Sequence, residues 1–202
     1  MSHNTWVHRV LRNGVRPLAH TRLRPNHVTT ARLVFGLGAC GYFATAAAPG
    51  IGALLFLISF ACDRVDGELA RLSGRVSESG HYYDLISDAL CNSGVLIAIG
   101  VGLRTGPLGI WAVVLGLIAG LSVAAAFTLI ARVELARGAG TVSFGTRYGV
   151  DPDDAMLAVP IAMLMDWGNV LIACAALAAP LSTLIIRGKL RASSATHTEQ
   201  AR

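Results

Sequence analysis

A chain of 202 residues with 53% hydrophobic and only 14% charged side chains and a mean hydropathy of +0.57 is too apolar for an ordinary soluble domain and reads as a membrane protein of several spans. Its formal net charge of +5 would raise the question of nucleic acid in a soluble chain, but the basic residues flank apolar stretches, where they act as topology determinants, and no nucleic-acid-binding motif accompanies them. Cys40, Cys62, Cys91 and Cys174 fall in or beside apolar spans without Cys-x-x-Cys spacing, as small buried residues rather than disulfide partners or zinc ligands.

The expected fold is all-α and integral to the membrane, with six transmembrane helices preceded by an amphipathic interfacial helix. Residues 1–24 form a basic juxtamembrane segment, 25–192 the membrane domain and 193–202 a polar, disordered tail. Over residues 4–20, Trp6, Val7, Val10, Leu11, Val15 and Leu18 share one helical stripe, with Arg9, Arg12 and Arg16 elsewhere on the wheel, a pattern suited to the membrane surface. No apolar run precedes Val28, which argues against a cleaved signal peptide.

Arg24-Pro25-Asn26 interrupts that pattern, and a first span covers 27–48, with Arg32 near its start, placed to snorkel or to point into the bundle. A second span covers 51–72, a third 81–103 and a fourth 108–130. Residues 137–154 are Gly-rich and polar and read as a long loop. A short fifth span at 154–165, interrupted by Pro160, and a sixth at 168–186 complete the set.

Four aspartates between the second and third spans carry the chemistry. Asp63 and Asp66 are three apart, and Asp84 and Asp88 four apart, so on helices each pair shares a face. Ionisable groups among apolar spans are expensive and usually functional. Two such faces brought together make a cup of carboxylate oxygens, the donor set that hard divalent cations prefer. Two cations held in this way would bind a pyrophosphate and stabilise a departing phosphate. Gly67 and Gly80 leave room for a nucleotide to approach helix backbone, and Arg71, one turn beyond Gly67, is placed to pair with phosphate. Asp88 lies deepest in its span and is the candidate general base.

The order Asp-x2-Asp-Gly-x2-Ala-Arg-x8-Gly-x3-Asp-x3-Asp, filled by Asp63, Asp66, Gly67, Ala70, Arg71, Gly80, Asp84 and Asp88, resembles the motif of the CDP-alcohol phosphotransferase family. The resemblance implies a transferase of substituted phosphate groups in phospholipid head-group synthesis, which moves a phosphate-linked group from a CDP-linked donor to an alcohol and releases CMP. It implies Asp63, Asp66 and Asp84 as ligands of Mg2+ or Mn2+, two ions in all, with Asp88 beside the metals as base. Gly67, Ala70, Arg71 and Gly80 would line the CDP site. The Pro-Asn-x2-Thr opening of the first span, with a following arginine, is also similar to the family, and adds Pro25, Asn26, Thr29 and Arg32 to the nucleotide site. Arg132, Arg137 and Arg147 are candidates for an anionic acceptor pocket, as basic residues after the fourth span are in inositol-phosphate-using relatives; positive-inside flanking is the plainer account of them. Homodimers through membrane helices are a further implication of the family.

Of the 17 Lys and Arg residues, all but Arg104 fall on the side shared by the termini, the aspartates and the 132–153 loop, which puts that side in the cytoplasm. A short Ala- and Gly-rich chain of this kind suits a bacterial inner membrane. The favoured donor is CDP-diacylglycerol and the favoured acceptor a polyol or polyol phosphate, such as inositol phosphate or glycerol phosphate. The reverse arrangement, a CDP-linked head group and a lipid alcohol, stays open. Two competitors remain: a cation-coupled transporter, for which a second copy of the acidic unit would be expected, and a catalytically dead scaffold, which the four intact aspartates disfavour. Structural ion pairs of the aspartates with Arg64, Arg71 or Arg75 are the bland reading of the acids, and Glu68 and Glu78 read as solvated. His81 and Tyr82 are either substrate contacts or interfacial anchors.

Overall fold

The structure, a computed structural model, describes residues 24–74, 76–138 and 152–200, the side chains at 137, 152–154 and 191–200 excepted. The amphipathic helix expected over 4–20, Arg75 and Arg147 lie outside the described residues. Within them there are six α-helices and no strand: α1 (Pro25–Thr45), α2 (Pro49–Ser73), α3 (Glu78–Gly102), α4 (Ile110–Arg137), α5 (Ala158–Leu164) and α6 (Gly168–Gln200). Short 3-10 turns at Leu103–Thr105 and Pro152–Leu157 follow α3 and precede α5.

Local sequence sets these boundaries. Pro25 and Pro49 open α1 and α2 at the first helical position, where a missing N–H is harmless and the fixed φ is already helical. Gly74 closes α2 in the left-handed region with φ 65°, a conformation glycine adopts without steric cost. The Ser77 hydroxyl accepts the Gly80 N–H at 3.1 Å and so caps α3. Pro160 falls in the first turn of α5, where it does not interrupt the hydrogen-bond ladder.

Helix α1 sits between α2 and α3 and packs on both; α4 packs on α3, α6 on α4, and α5 on α2. Phe43, Phe56, Val95 and Ile99 form the shared core, with Ala39 and Ala53 at the close approaches. Small residues set how near the helices come. A Cβ on Gly116 of α4 would lie 2.9 Å from the Gly100 Cα of α3, so the two backbones touch as small-residue crossings in membranes do. Gly36 of α1 meets the Cys91 thiol of α3 in the same way.

Among the described residues, three helical stretches, Glu78–Thr105, Ile110–Ala136 and Gly168–Leu190, are long and apolar enough to cross a membrane. The polar load explains why the first two helices fall short of that standard: α2 carries Asp63, Arg64, Asp66, Glu68 and Arg71, and α1 carries Arg32 and two threonines in its first half. Three expectations change. The fifth segment is a seven-residue helix after a six-residue 3-10 turn, shorter than a regular span because Pro152 and Pro160 limit the α-helical stretch. The last helix continues to Gln200, past the boundary at 193, since Ala, Thr and Glu there tolerate helix with no Gly or Pro to stop it. Cys174 is exposed, whereas Cys91 is buried and Cys40 and Cys62 are partly so.

Candidate active site

The acids converge. Asp63, Asp66 and Asp84 each offer a carboxylate oxygen, and these atoms lie within 4.8 Å of one another. Asp63 and Asp66 come from one face of α2, a turn apart, and Asp84 from the second turn of α3. The two helices are brought together by α1, which packs against both. Asp66 is 3% exposed, and its Oδ2 accepts the Thr29 hydroxyl at 2.8 Å. Such an oxygen cluster fits a divalent cation, since carboxylates so close are stable only when a positive charge stands among them.

In the described structure that charge is an arginine. Arg32 is 3% exposed, and its Nη1 lies 2.9 Å from Asp63 Oδ1 and 3.3 Å from Asp84 Oδ1, while its Nη2 is paired with Asp88 Oδ1. Of the two positions open to Arg32 from sequence, the interface or the bundle, the structure takes the bundle. Asp88 joins the group through this guanidinium and lies beside a cavity of about 10 Å³ with Ser59, Asn92 and Met156, room for one water.

The other residues of the motif surround the cup unevenly. The Asn26 side-chain oxygen would stand 3.1 Å from a Cβ on Gly80, so the start of α1 and the start of α3 meet where the missing side chain leaves space. A Cβ on Gly67 would find only the Arg71 guanidinium, at 3.9 Å, so the helix face at Gly67 is open. Pro25 and Ala70 are half-buried on α1 and α2. Arg71 is held by Glu68, its Nη2 at 2.9 Å and its Nε at 3.1 Å from Oε2. Glu68 is 8% exposed and is thus a buried partner of Arg71 rather than a solvated acid. Arg64 stacks over the Phe60 ring at 5.0 Å and stands only 3.9 Å from Asp63.

The basic acceptor set divides. Arg132 is exposed and lines a groove of about 790 Å³ between α4 and α6 with Thr128, Thr183 and Arg187; the Arg137 side chain and Arg147 lie outside the described residues. Arg187 is a residue that sequence reasoning passed over, since its only signal was one more positive charge near the end of an apolar span. A second omission is Glu134. It is 2% exposed, and its Oε2 lies 2.6 Å from His81 Nε2, so His81 is tied to α4 one turn before Asp84. The signal was an acid in the last turn of an otherwise apolar helix.

The family model for CDP-alcohol phosphatidyltransferase matches residues 22–184 of this chain, a stretch that holds all four aspartates and the residues around them. No curated protein matches it.

Proposed function

Because the chain belongs to the CDP-alcohol phosphatidyltransferase family, and is therefore a membrane-embedded transferase of lipid synthesis, we propose that the cup of Asp63, Asp66, Asp84 and Asp88 is where a CDP-linked donor, favoured to be CDP-diacylglycerol, passes its substituted phosphate to an alcohol. The observation that carries this reading is the approach of three carboxylate oxygens from two helices to within 4.8 Å. Mg2+ or Mn2+ bound there, as two ions, would supply the charge that draws in a pyrophosphate and stabilises the departing phosphate.

The side chains divide the remaining work. Asp66, fixed by Thr29, would hold the metal together with Asp63 and Asp84. Asn26 and Gly80 mark the space for the nucleotide, with Pro25, Gly67, Ala70 and Arg71 around it. Asp88 takes the proton from the acceptor hydroxyl as its oxygen bonds to the lipid-linked phosphorus, and the bond from that phosphorus to the CMP oxygen breaks. CMP leaves and the new phosphodiester remains with the lipid.

An acceptor phosphate would find positive charge at Arg132 and Arg187, with Arg137 and Arg147 as further candidates. The same groove has walls of Leu129, Leu184 and Leu190, and this favours keeping a second arrangement, in which a lipid alcohol accepts a CDP-linked head group. Six passes are supported by two contacts: Met156 stands at the level of Asp63 and Asp88, and a Cβ on Gly168 would meet Met163 and Leu103 at the other end of α3. On this reading the turn and helix of 152–164 would run the depth of the bundle. Both termini and the site would face the cytoplasm of a bacterial inner membrane, and the chain would pair as a homodimer through its exposed apolar faces.

Purified protein in detergent with Mg2+ should release CMP from CDP-diacylglycerol when given the right acceptor among serine, glycerol phosphate, inositol and inositol phosphate. Asp88→Asn should lower that rate by at least about 100-fold. CMP release with only CDP-linked polar heads and lipid alcohols would establish the second arrangement, and silence with both donor classes would overturn the transferase reading.

A further inference from the structure

Arg32 makes an arrangement that no nucleotide-binding role requires. It enters the cup from α1 and places one guanidinium among carboxylates of two other helices, on Asp63 Oδ1, Asp84 Oδ1 and Asp88 Oδ1. Two of those residues, Asp63 and Asp84, belong to the three-acid cluster whose oxygens fit a divalent ion. A guanidinium and a metal ion therefore compete for the same two carboxylates. The third acid, Asp66, takes its hydrogen bond from Thr29.

The hold on Arg32 is incomplete in a telling way. A buried arginine has five N–H donors to satisfy, yet its Nε is buried with no hydrogen-bond partner. Its backbone, by contrast, is fixed: the Ser59 hydroxyl donates to the Arg32 carbonyl at 2.9 Å, and one turn on, Gly36 is pressed against Cys91. A pinned backbone under a partly satisfied side chain lets the guanidinium turn about its own torsions without moving α1.

We infer that Arg32 is the internal counter-cation of the metal-free cup, which metal must displace from Asp63 and Asp84, so that this one side chain sets the metal affinity of the site. The inference rests on the metal-binding reading of the cup given above. Arg32 keeps four acids tolerable inside the bundle when no metal is present, because unpaired buried charge is strongly destabilising. Its displacement leaves a guanidinium beside the ions, suited to the phosphates that would follow.

The test is Mn2+ binding to the full-length protein in detergent, followed by electron paramagnetic resonance without nucleotide, together with thermal unfolding in chelator. R32Q should bind Mn2+ more tightly than wild type by roughly ten-fold, since one competing positive charge has gone. It should also unfold at a lower temperature than wild type in chelator and recover most of that difference when Mn2+ is added. R32K, whose ammonium is too compact to bridge three carboxylates, should lie between the two and carries the test if R32Q does not accumulate. Wild-type binding with equal or weaker affinity in both variants overturns the inference alone. Absence of Mn2+ binding in wild type and variants alike overturns the metal reading and the inference with it.

Discussion

Thr29 shows how a single hydroxyl can organise an acidic site. Its Oγ1 donates to Asp66 Oδ2 and stands 3.2 Å from the Pro25 carbonyl, so one side chain links the opening turn of α1 to the most buried of the four acids. Replacing it with valine keeps the shape and removes the donor, leaving a buried carboxylate oxygen without its bond at a cost of about 1–3 kcal/mol. T29V should therefore unfold at a lower temperature in chelator, and added Mg2+ should remove most of the difference, because a cation can satisfy the oxygen that the hydroxyl has left. Equal unfolding temperatures in chelator would show that Thr29 is incidental to Asp66. At this scale the sequence was informative about which residues matter and silent about their partners. The spacing of Asp63, Asp66, Asp84 and Asp88 disclosed an oxygen cup, but nothing in the spacing of α1 says that Arg32 spans three of them or that Thr29 serves the fourth. Pairings between residues more than 30 positions apart depend on how helices pack, which local pattern does not contain.

The helices themselves were more legible than the contacts between them. Apolar runs bounded by Pro49 and Gly74 place α2 and α3 within a few residues of their observed ends, because these residues act on the backbone locally, whereas α4 continues to Arg137, past the expected end at 130. The close crossing of α3 and α4 was hidden, since both helices hold several glycines and only the folded pair reveals that Gly100 faces Gly116. A leucine at 116 would place its Cβ 2.9 Å from the Gly100 Cα and equally near the Leu96 carbonyl. Backbone cannot yield there as a flexible side chain would, so the helices must part. We expect G116L to destabilise the protein by at least about 1–3 kcal/mol, measured as a lower unfolding midpoint in detergent. G41L, at a glycine with open space around it, serves as the control and should change the midpoint little. A break near Pro160 in the fifth segment was anticipated, although the seven-residue helix and its 3-10 approach were not, since that turn depends on packing beside α2.

Over the whole molecule, charge distribution remains the best guide to orientation, because it acts during insertion rather than through the final contacts. Arg104 lies at the end of α3 away from the acids, and there it donates to the Ala44 carbonyl at 3.2 Å and the Val101 carbonyl at 2.7 Å, joining the exit of α1 to that of α3. Single cysteines at Ser79 and at Gly106, in a background with Cys40, Cys62, Cys91 and Cys174 replaced, provide a direct check. In intact bacterial cells a membrane-impermeant maleimide should label position 106 and spare position 79 until the cells are opened. The reverse pattern would invert the orientation. The transporter alternative called for a matching acidic unit elsewhere, and among the described residues Asp63, Asp66 and Asp84 form the single such cluster.

The far end of the bundle is shut as well as tied. Gly102 lies against the Phe43 carbonyl, and a Cβ on Gly168 would touch the Leu103 side chain at 3.3 Å, so α1, α3 and the start of α6 close on one another at the end remote from the acids. With those helices drawn together, a lipid made at the acids would leave at their own end of the bundle. The product lipid would accordingly be born in one leaflet only, and a cell that needs it in both must supply a separate means of turning it over.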